Sequence, residues 1–293
     1  MPQRLMVQII AALLANPFLG NFLRGKIYQG NLKGICVPVL NCYSCPAAVG
    51  SCPLGALQNT LAAPFIRFPF YVAGTLLLVG ALAGRWVCGW LCPFGLAQDL
   101  LARISKIKKK IPSSLTWAKY AILGLLIALP ILWVDSAGYG GPYFCQYMCP
   151  KGTLTAGIPL VTGNPDTYTA MVGPLFWLKI VILVAILVGS IFIYRPFCRT
   201  LCPLGAFFSF FNKYSLFQLH YDQEKCNNCQ RCSNNCPVDL ELPSQHNSRE
   251  CIRCLQCRDV CRPGALSWQA NILQSSNKYS ERIEGNIKNA KEK

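Results

Sequence analysis

Between Cys226 and Cys261 the chain reads CNNCQRCSNNCP and then, after thirteen intervening residues, CIRCLQCRDVC. Each half is C-x2-C-x2-C-x3-C, the spacing with which one short segment holds a pair of [4Fe–4S] cubanes. Three closely spaced thiolates cover one face of a cube, and the fourth cysteine of each run reaches across to the other cube. That pattern assigns Cys226, Cys229, Cys232 and Cys261 to a first cluster. It assigns Cys251, Cys254, Cys257 and Cys236 to a second. Pro237 follows Cys236 directly, whereas Arg262 separates Cys261 from Pro263. Zinc knuckles or disulfides leave two identical three-gap runs unexplained. The chemistry on offer is electron transfer.

The other ten of the eighteen cysteines follow an internal repeat. The string C-P-x-G occurs at Cys52, Cys92, Cys149 and Cys202. Each half reads apolar segment, first C-P-x-G, apolar segment, second C-P-x-G, with a period of about 110 residues between Cys92 and Cys202. Duplicated halves commonly pack about a pseudo-two-fold axis, which would set Cys88 and Cys92 opposite Cys198 and Cys202. Two C-x3-C pairs make four thiolates, the number a cubane needs. That spacing puts both sulfurs of a pair on one helical face, and the glycine after each Cys-Pro lets the backbone turn tightly. Unligated buried thiols would suit a single pair, since cysteine packs as a small hydrophobe; the matched repeat argues for a metal centre.

These groups need elements to position them, and composition says which kind. The chain of 293 residues is 53% apolar and 14% charged with mean hydropathy +0.33, unlike a soluble globule. Four apolar segments are each expected to cross a hydrocarbon core about 30 Å thick: Leu5–Leu23, Phe68–Gly84, Leu115–Val134 with Pro130 as a kink, and Pro174–Tyr194. The first lacks a small-residue cleavage site and reads as an uncleaved anchor. Near the ends of these segments, Arg4, Arg85, Arg103, Lys106, Lys108, Lys109, Lys110, Arg195, Arg199 and Lys213 fall on one side. Arg24, Lys26, Lys33, Arg67 and Lys151 fall on the other. Ten against five places the first side, both termini and the two-cluster stretch in the cytoplasm.

A formal charge of +16 does not indicate nucleic acid here. Thiolate-ligated cubanes are anions that offset much of it, and basic residues beside apolar segments set topology or meet anionic lipid. Two histidines, His220 and His246, lie outside the apolar segments, which excludes a transmembrane haem with paired histidine ligands.

The remaining six cysteines, Cys36, Cys42, Cys45, Cys52, Cys145 and Cys149, fall on the outer side. An even number of extracytoplasmic cysteines is open to three disulfides as well as to a cluster. The repeat favours a cluster, because Cys52 and Cys149 occupy equivalent positions. It is imperfect: the counterpart of Cys145 is Ala48, so Cys42 and Cys45 are expected to complete the set, with Cys36 spare.

The doubled C-x3-C-P after alternate spans, followed by the two-cluster stretch, resembles the NapH/NosR-type membrane polyferredoxins. The strings NCYSCP and GSCPLGALQ near the start are similar to a signature of several such proteins. The resemblance covers roughly residues 1–264. It implies four spans in the inner membrane, cytoplasmic [4Fe–4S] clusters and electron exchange with the quinone pool. The expected fold is a membrane α-helical domain over 1–217, four transmembrane helices in two pseudo-repeats. A small cytoplasmic α+β ferredoxin-like domain follows over 218–264, then a polar tail over 265–293.

The expected function is electron transfer between quinone, the cytoplasmic clusters and an extracytoplasmic redox partner, as a subunit of a quinol-oxidising complex. The alternative is an accessory reductase in the maturation of a partner metalloenzyme; a redox sensor would need an output domain, which is not recognisable. Lys179, a quarter of the way into the fourth span, is a candidate for a quinone oxygen or a cluster's charge, or else snorkels to headgroups. Asp99 is a candidate proton acceptor from quinol, or a solvated helix-end carboxylate. Trp86 and Trp90 flank Cys88, either shielding a cluster or lying at the membrane interface.

Overall fold

The computed structural model describes residues 2–63, 69–105, 109–136, 139–168 and 172–270. Arg67, Phe68, Lys106, Lys108 and the tail beyond 270 lie outside the described residues.

Four long helices frame the molecule: α1 (Pro2–Ala15), α2 (Phe70–Ala83), α3 (Ala118–Leu132) and α4 (Pro174–Phe192). Among the described residues two helical stretches are long and apolar enough to cross a membrane, the 20 residues Ser113–Leu132 ending in α3 and the 19 residues of α4. α1 and α2 have 14 residues each, about 21 Å at 1.5 Å per residue. Instead of a continuous span over Leu5–Leu23, α1 stops at Ala15, and the short helix Asn21–Arg24 follows. Pro17 is the cause, because a proline bars the residue before it from helical geometry. Gly84 ends α2 with φ of 51°, a conformation that side chains resist. Leu78, Leu125, Val181 and Val184 stand more than half exposed along these helices, an apolar surface suited to lipid.

Each C-P-x-G string does the same local job. Its cysteine is the residue before a helix and its proline the first residue within: Pro53–Leu61, Pro93–Leu101, Pro150–Gly152 and Pro203–Phe211. Proline suits that place because the first N–H groups of a helix have no partner in it. The glycine therefore lies in the first turn rather than in a tight bend. A Cβ there would meet the Tyr43 ring from Gly55 at 2.9 Å, or the Arg195 guanidinium from Gly95 at 3.1 Å. Close approach is what it permits. The C-x3-C pairs do not share a helical face either. Cys88 lies in Trp86–Trp90 and Cys198 in Pro196–Thr200, and the helix breaks before Cys92 and Cys202 start the next one.

The loop after α1 folds inward. Cys36, Val39, Leu40 and Cys52 belong to the same apolar core as Cys88, Cys92, Cys149, Cys198 and Cys202. A second, smaller core gathers Leu219, Val238, Leu240, Ile252, Leu255 and Leu266 around Cys251 and Cys257. It is roofed by an antiparallel pair, β1 (Phe217–Tyr221) and β2 (Leu266–Ala270), with Phe217 opposite Ala270 and Tyr221 opposite Leu266. The ferredoxin-like unit thus runs to Ala270, and residues 265–270 are not tail. Leu266-Ser267-Trp268-Gln269-Ala270 alternates apolar and polar residues, a strand signal, and Leu266 is buried in the same core as Leu219.

Candidate metal centres

The first ferredoxin set comes together as its spacing requires: Cys226, Cys229, Cys232 and Cys261 line one cavity of about 210 Å³. Cys251, Cys254, Cys257 and Cys236 lie close enough to act on one another's charge. Burial pushes the Cys251 thiol up to about 12. The two runs fold alike. Asn228 and Gln230 in the first, and Arg253 and Leu255 in the second, all have left-handed φ between 53° and 62°. Three of these are residues that rarely adopt it, and the result wraps backbone N–H groups around an anion-sized concavity. Among the described residues no three His, Cys, Asp or Glu side chains are arranged to hold a single metal ion. A cubane is larger and takes its ligands at separate corners.

Cys88, Cys92, Cys198 and Cys202 line a third site with Arg85 and Leu40. Its open space is about 10 Å³, so Cys88, Cys92, Cys198 and Cys202 would hold a cubane only after their side chains draw apart to open the site. The sulfurs already receive N–H groups: Gln98 Nε2 donates to Cys198 Sγ at 3.1 Å and Gly205 N to Cys202 Sγ at 3.4 Å. Burial pushes Cys88 up to about 12, against the pull of the Arg85 guanidinium, and Cys198 up to about 11.

The fourth site is a cavity of about 360 Å³ lined by Cys42, Cys52, Cys145 and Cys149, with Lys151 and Lys179 in its wall. Gly152 N donates to Cys149 Sγ at 3.4 Å. Burial pushes Cys52 and Cys149 up to about 11. Cys45 is not part of this wall. Its Sγ lies 3.7 Å from Asn16 Oδ1, fully buried beside Ala47 and Ala48, because Lys33 Nζ fixes the turn by holding the Cys45 and Ala48 carbonyls. Cys36 lines neither cavity. None of the eighteen cysteines is paired in a disulfide.

Unpartnered N–H groups test whether the buried sets suit an anion. Gln58 Nε2, Arg85 Nε, Arg199 Nε and Arg253 Nε are buried without an acceptor. Each sits by a cysteine set: Gln58 takes the Cys145 N–H on its other amide atom, and Arg85 neighbours Cys88. Arg199 neighbours Cys236, and Arg253 neighbours Cys251. A buried donor left unmet costs about 1–3 kcal/mol. The sulfurs of a thiolate-ligated cluster are the acceptors these donors lack, so the residues present fit the group.

The description 4Fe-4S binding domain matches residues 68–112, 120–160 and 174–220, and 4Fe-4S dicluster domain matches 218–262. MJ0749 of Methanocaldococcus jannaschii is 31% identical over 204 residues, 66% of this chain and 68% of that one. NapH of Haemophilus influenzae, a ferredoxin-type protein, is 27% identical over 270 residues, 87% of this chain and 83% of that one. The regulatory protein NosR of Stutzerimonas stutzeri is 31% identical over 206 residues, 66% of this chain but 25% of its own length. The chain belongs to the NapH/NosR-type polyferredoxins. It is an iron–sulfur electron-transfer protein that binds [4Fe–4S] clusters. No solved structure matches it.

In this polyferredoxin the cysteine sets adjoin one another. Leu40 lines both the outer and the inner cavity. On the other flank, a Cβ on Gly89 would lie 2.4 Å from Ile252 O, so the inner helix touches the backbone between Cys251 and Cys254. Trp90 Nε1 donates to Arg253 O at 3.0 Å, and its ring stacks on Trp86 with centroids 5.7 Å apart. Both tryptophans are therefore part of this seam. Arg253, fully buried, donates to Ala83 O, Phe217 O, Asn212 O and Ser215 Oγ. Lys119 pairs with Glu250 at 2.5 Å, and Arg85 reaches the same carboxylate at 3.6 Å.

Asp99 is not a solvated carboxylate. It is 8% exposed and receives Arg195 Nε at 2.7 Å, Arg195 Nη2 at 2.6 Å, Arg4 Nη2 at 2.6 Å and Gln8 Nε2 at 3.0 Å. Burial would raise its pKa, yet Arg195 and Arg4 together hold it below the ordinary value. Such a carboxylate is a poor proton acceptor. Lys179 Nζ faces the outer cavity and donates to Cys145 O at 3.4 Å, so it turns to the cysteine site and not to headgroups.

Sequence reading passed over the buried cations. Arg4, Arg85, Arg195, Arg199 and Lys151 are at most 8% exposed, so these members of the ten-to-five count act inside the protein. It also passed over Gln58 and Gln98. A signal existed: each glutamine follows its C-P-x-G cysteine by six residues, Cys52 to Gln58 and Cys92 to Gln98.

Proposed function

We propose that this polyferredoxin is a membrane relay of four [4Fe–4S] clusters, passing single electrons between a partner at the exposed first ferredoxin set and an acceptor or donor at the outer cavity. The adjacency of the four cysteine sets carries this reading. Leu40 is the wall between outer and inner sites, Gly89 and Ile252 are the seam to the second ferredoxin set, and the exchange of Cys236 and Cys261 ties that set to the first. Each cluster, when bound, takes and gives one electron. The chain's own residues hold the sites together, exclude water and place charge beside them.

The outer end would face a periplasmic or membrane reductase or cytochrome complex, and the ferredoxin end the cytoplasm, with four helices in the inner membrane. The shorter α1 and α2 suit a locally thinned bilayer. Membrane quinone has a separate place of contact. A cavity of about 210 Å³ lies between α1 and the ferredoxin unit, lined by Arg4, Gln8, Asp99, Arg103, Tyr194 and Gln256. Tyr194 packs against the small core that also holds Cys254. The cavity offers amide and guanidinium donors to a quinone headgroup, next to the second ferredoxin set.

Anaerobically purified protein should carry about sixteen irons and as many sulfides, four for each cubane. Eight irons would confine binding to Cys226–Cys261 and sink the relay. For orientation, reporter fusions after Val134 should read extracytoplasmic and those after Tyr194 cytoplasmic; the opposite pattern would put the ferredoxin unit outside.

A further inference from the structure

We propose that Lys151 is the counter-charge of the outer four-cysteine site and that it sets how readily the outer site accepts an electron. The proposal rests on the reading that Cys42, Cys52, Cys145 and Cys149 hold a cubane.

The repeat makes the residue stand out. The variable residue of C-P-x-G is Leu54, Phe94, Lys151 and Leu204 in the four copies. Leu54, Phe94 and Leu204 are 1–2% exposed, each packed in the common core. Lys151 occupies the same place in its own copy and is 6% exposed. A lysine thus stands where three equivalent positions bury an apolar side chain.

Among the described residues, the Lys151 ammonium has neither a carboxylate nor a hydrogen-bond partner, whereas the other deeply buried lysine, Lys119, is paired with Glu250. Its charged surroundings are sulfurs: Cys42 and Cys149 of the outer set, the spare Cys45, and Cys92 of the inner set. The residue lines the wall of the outer cavity, where a charge partly withdrawn from water is costly unless an anion meets it. The anion the site provides is the thiolate-ligated cluster. Lys179, in the same cavity, donates to the Cys145 carbonyl and keeps its charge, so Lys151 is the second ammonium of the outer site and the one with no hydrogen-bond partner among the described residues. One-electron reduction by a neighbouring cluster adds one negative charge to the outer cube, and a fixed ammonium beside it favours that reduced form. Lys151 is a positioning residue for charge; it ligates nothing.

The test is redox titration followed by EPR on the whole purified protein, with iron and sulfide counted in every sample. The outer signal is identified as the one lost, with four irons, in Cys149→Ala; should that variant keep every iron and signal, the cubane reading itself fails. Lys151→Leu copies the residue found at positions 54 and 204 and should keep its iron. At a fixed potential its outer reduced-to-oxidised ratio should fall roughly tenfold, equivalent to about 59 mV for a one-electron couple. Lys151→Arg should stay near wild type. Loss of the outer cluster in Lys151→Leu alone, with Lys151→Arg intact, also supports a charge role. An unchanged ratio in Lys151→Leu, or loss of four irons from both variants, overturns it.

Discussion

Replacing Cys92 with alanine should stop electrons from passing between the outer site and the ferredoxin unit while leaving the two ferredoxin clusters in place. Cys92 is 7% exposed and lines the inner site with Cys88, Cys198 and Cys202. The inner site is the one element in contact with both neighbours, through Leu40 on one side and through Gly89 against Ile252 on the other. Electron transfer through protein falls exponentially with distance, so removing the middle cluster lowers the rate by orders of magnitude rather than by a fraction. The ferredoxin sets survive because their eight ligands all come from Cys226–Cys261, and metal binding folds such a unit by itself. The measurement uses vesicles with the ferredoxin unit outward, a reductant outside and a membrane-impermeant dye trapped within. The Cys92→Ala protein should keep both ferredoxin EPR signals and leave the dye oxidised. Dye reduction at the wild-type rate would mean that the inner site is no part of the path.

Replacing Asp99 with alanine should be the most destabilising change outside the cysteines. Arg195 is fully buried and Arg4 nearly so, and Asp99 is the carboxylate that both contact. Removing one partner of a buried ion pair typically costs about 3–5 kcal/mol, because the other charge stays buried without compensation. Here two guanidiniums are stranded. Arg195 also donates to Cys88 O and Arg4 to Gly89 O, so the damage spreads to the seam between the inner site and the ferredoxin unit. Asp99→Asn keeps the shape and should lose less. The pH dependence has a definite sign. The folded pKa lies below the unfolded one, so the contribution is complete above the ordinary carboxylate value and is lost as pH falls through the lower, folded value. Thermal unfolding in detergent should show a lower midpoint for Asp99→Ala at neutral pH and a narrowing gap to wild type in strong acid. A midpoint equal to wild type at neutral pH would remove Asp99 from this role.

Residue type and local spacing, both one-dimensional, determined a good deal. A C-x2-C-x2-C-x3-C run allows few arrangements of its sulfurs about a cube, so Cys226, Cys229, Cys232 and Cys261 were legible as one set before any fold was known. The same holds for the pairing of Cys88 and Cys92 with Cys198 and Cys202, because a repeat fixes which positions are equivalent. Apolar runs marked α3 and α4 within three residues at each end, since a helix in lipid must be apolar all round. Matters that depend on what a residue meets were out of reach. Nothing local distinguishes Cys42, in the outer cavity, from Cys45, turned to Asn16; the backbone turn held by Lys33 separates them. Nor could spacing bring the Cys36–Cys52 loop inward against Cys88, which abolishes the expected gap between outer and inner sites. The buried cations were hidden most completely. Arg85, Arg195 and Lys151 look like surface charges flanking apolar segments, and only packing decides that their partners are carboxylates, carbonyls and sulfurs rather than water.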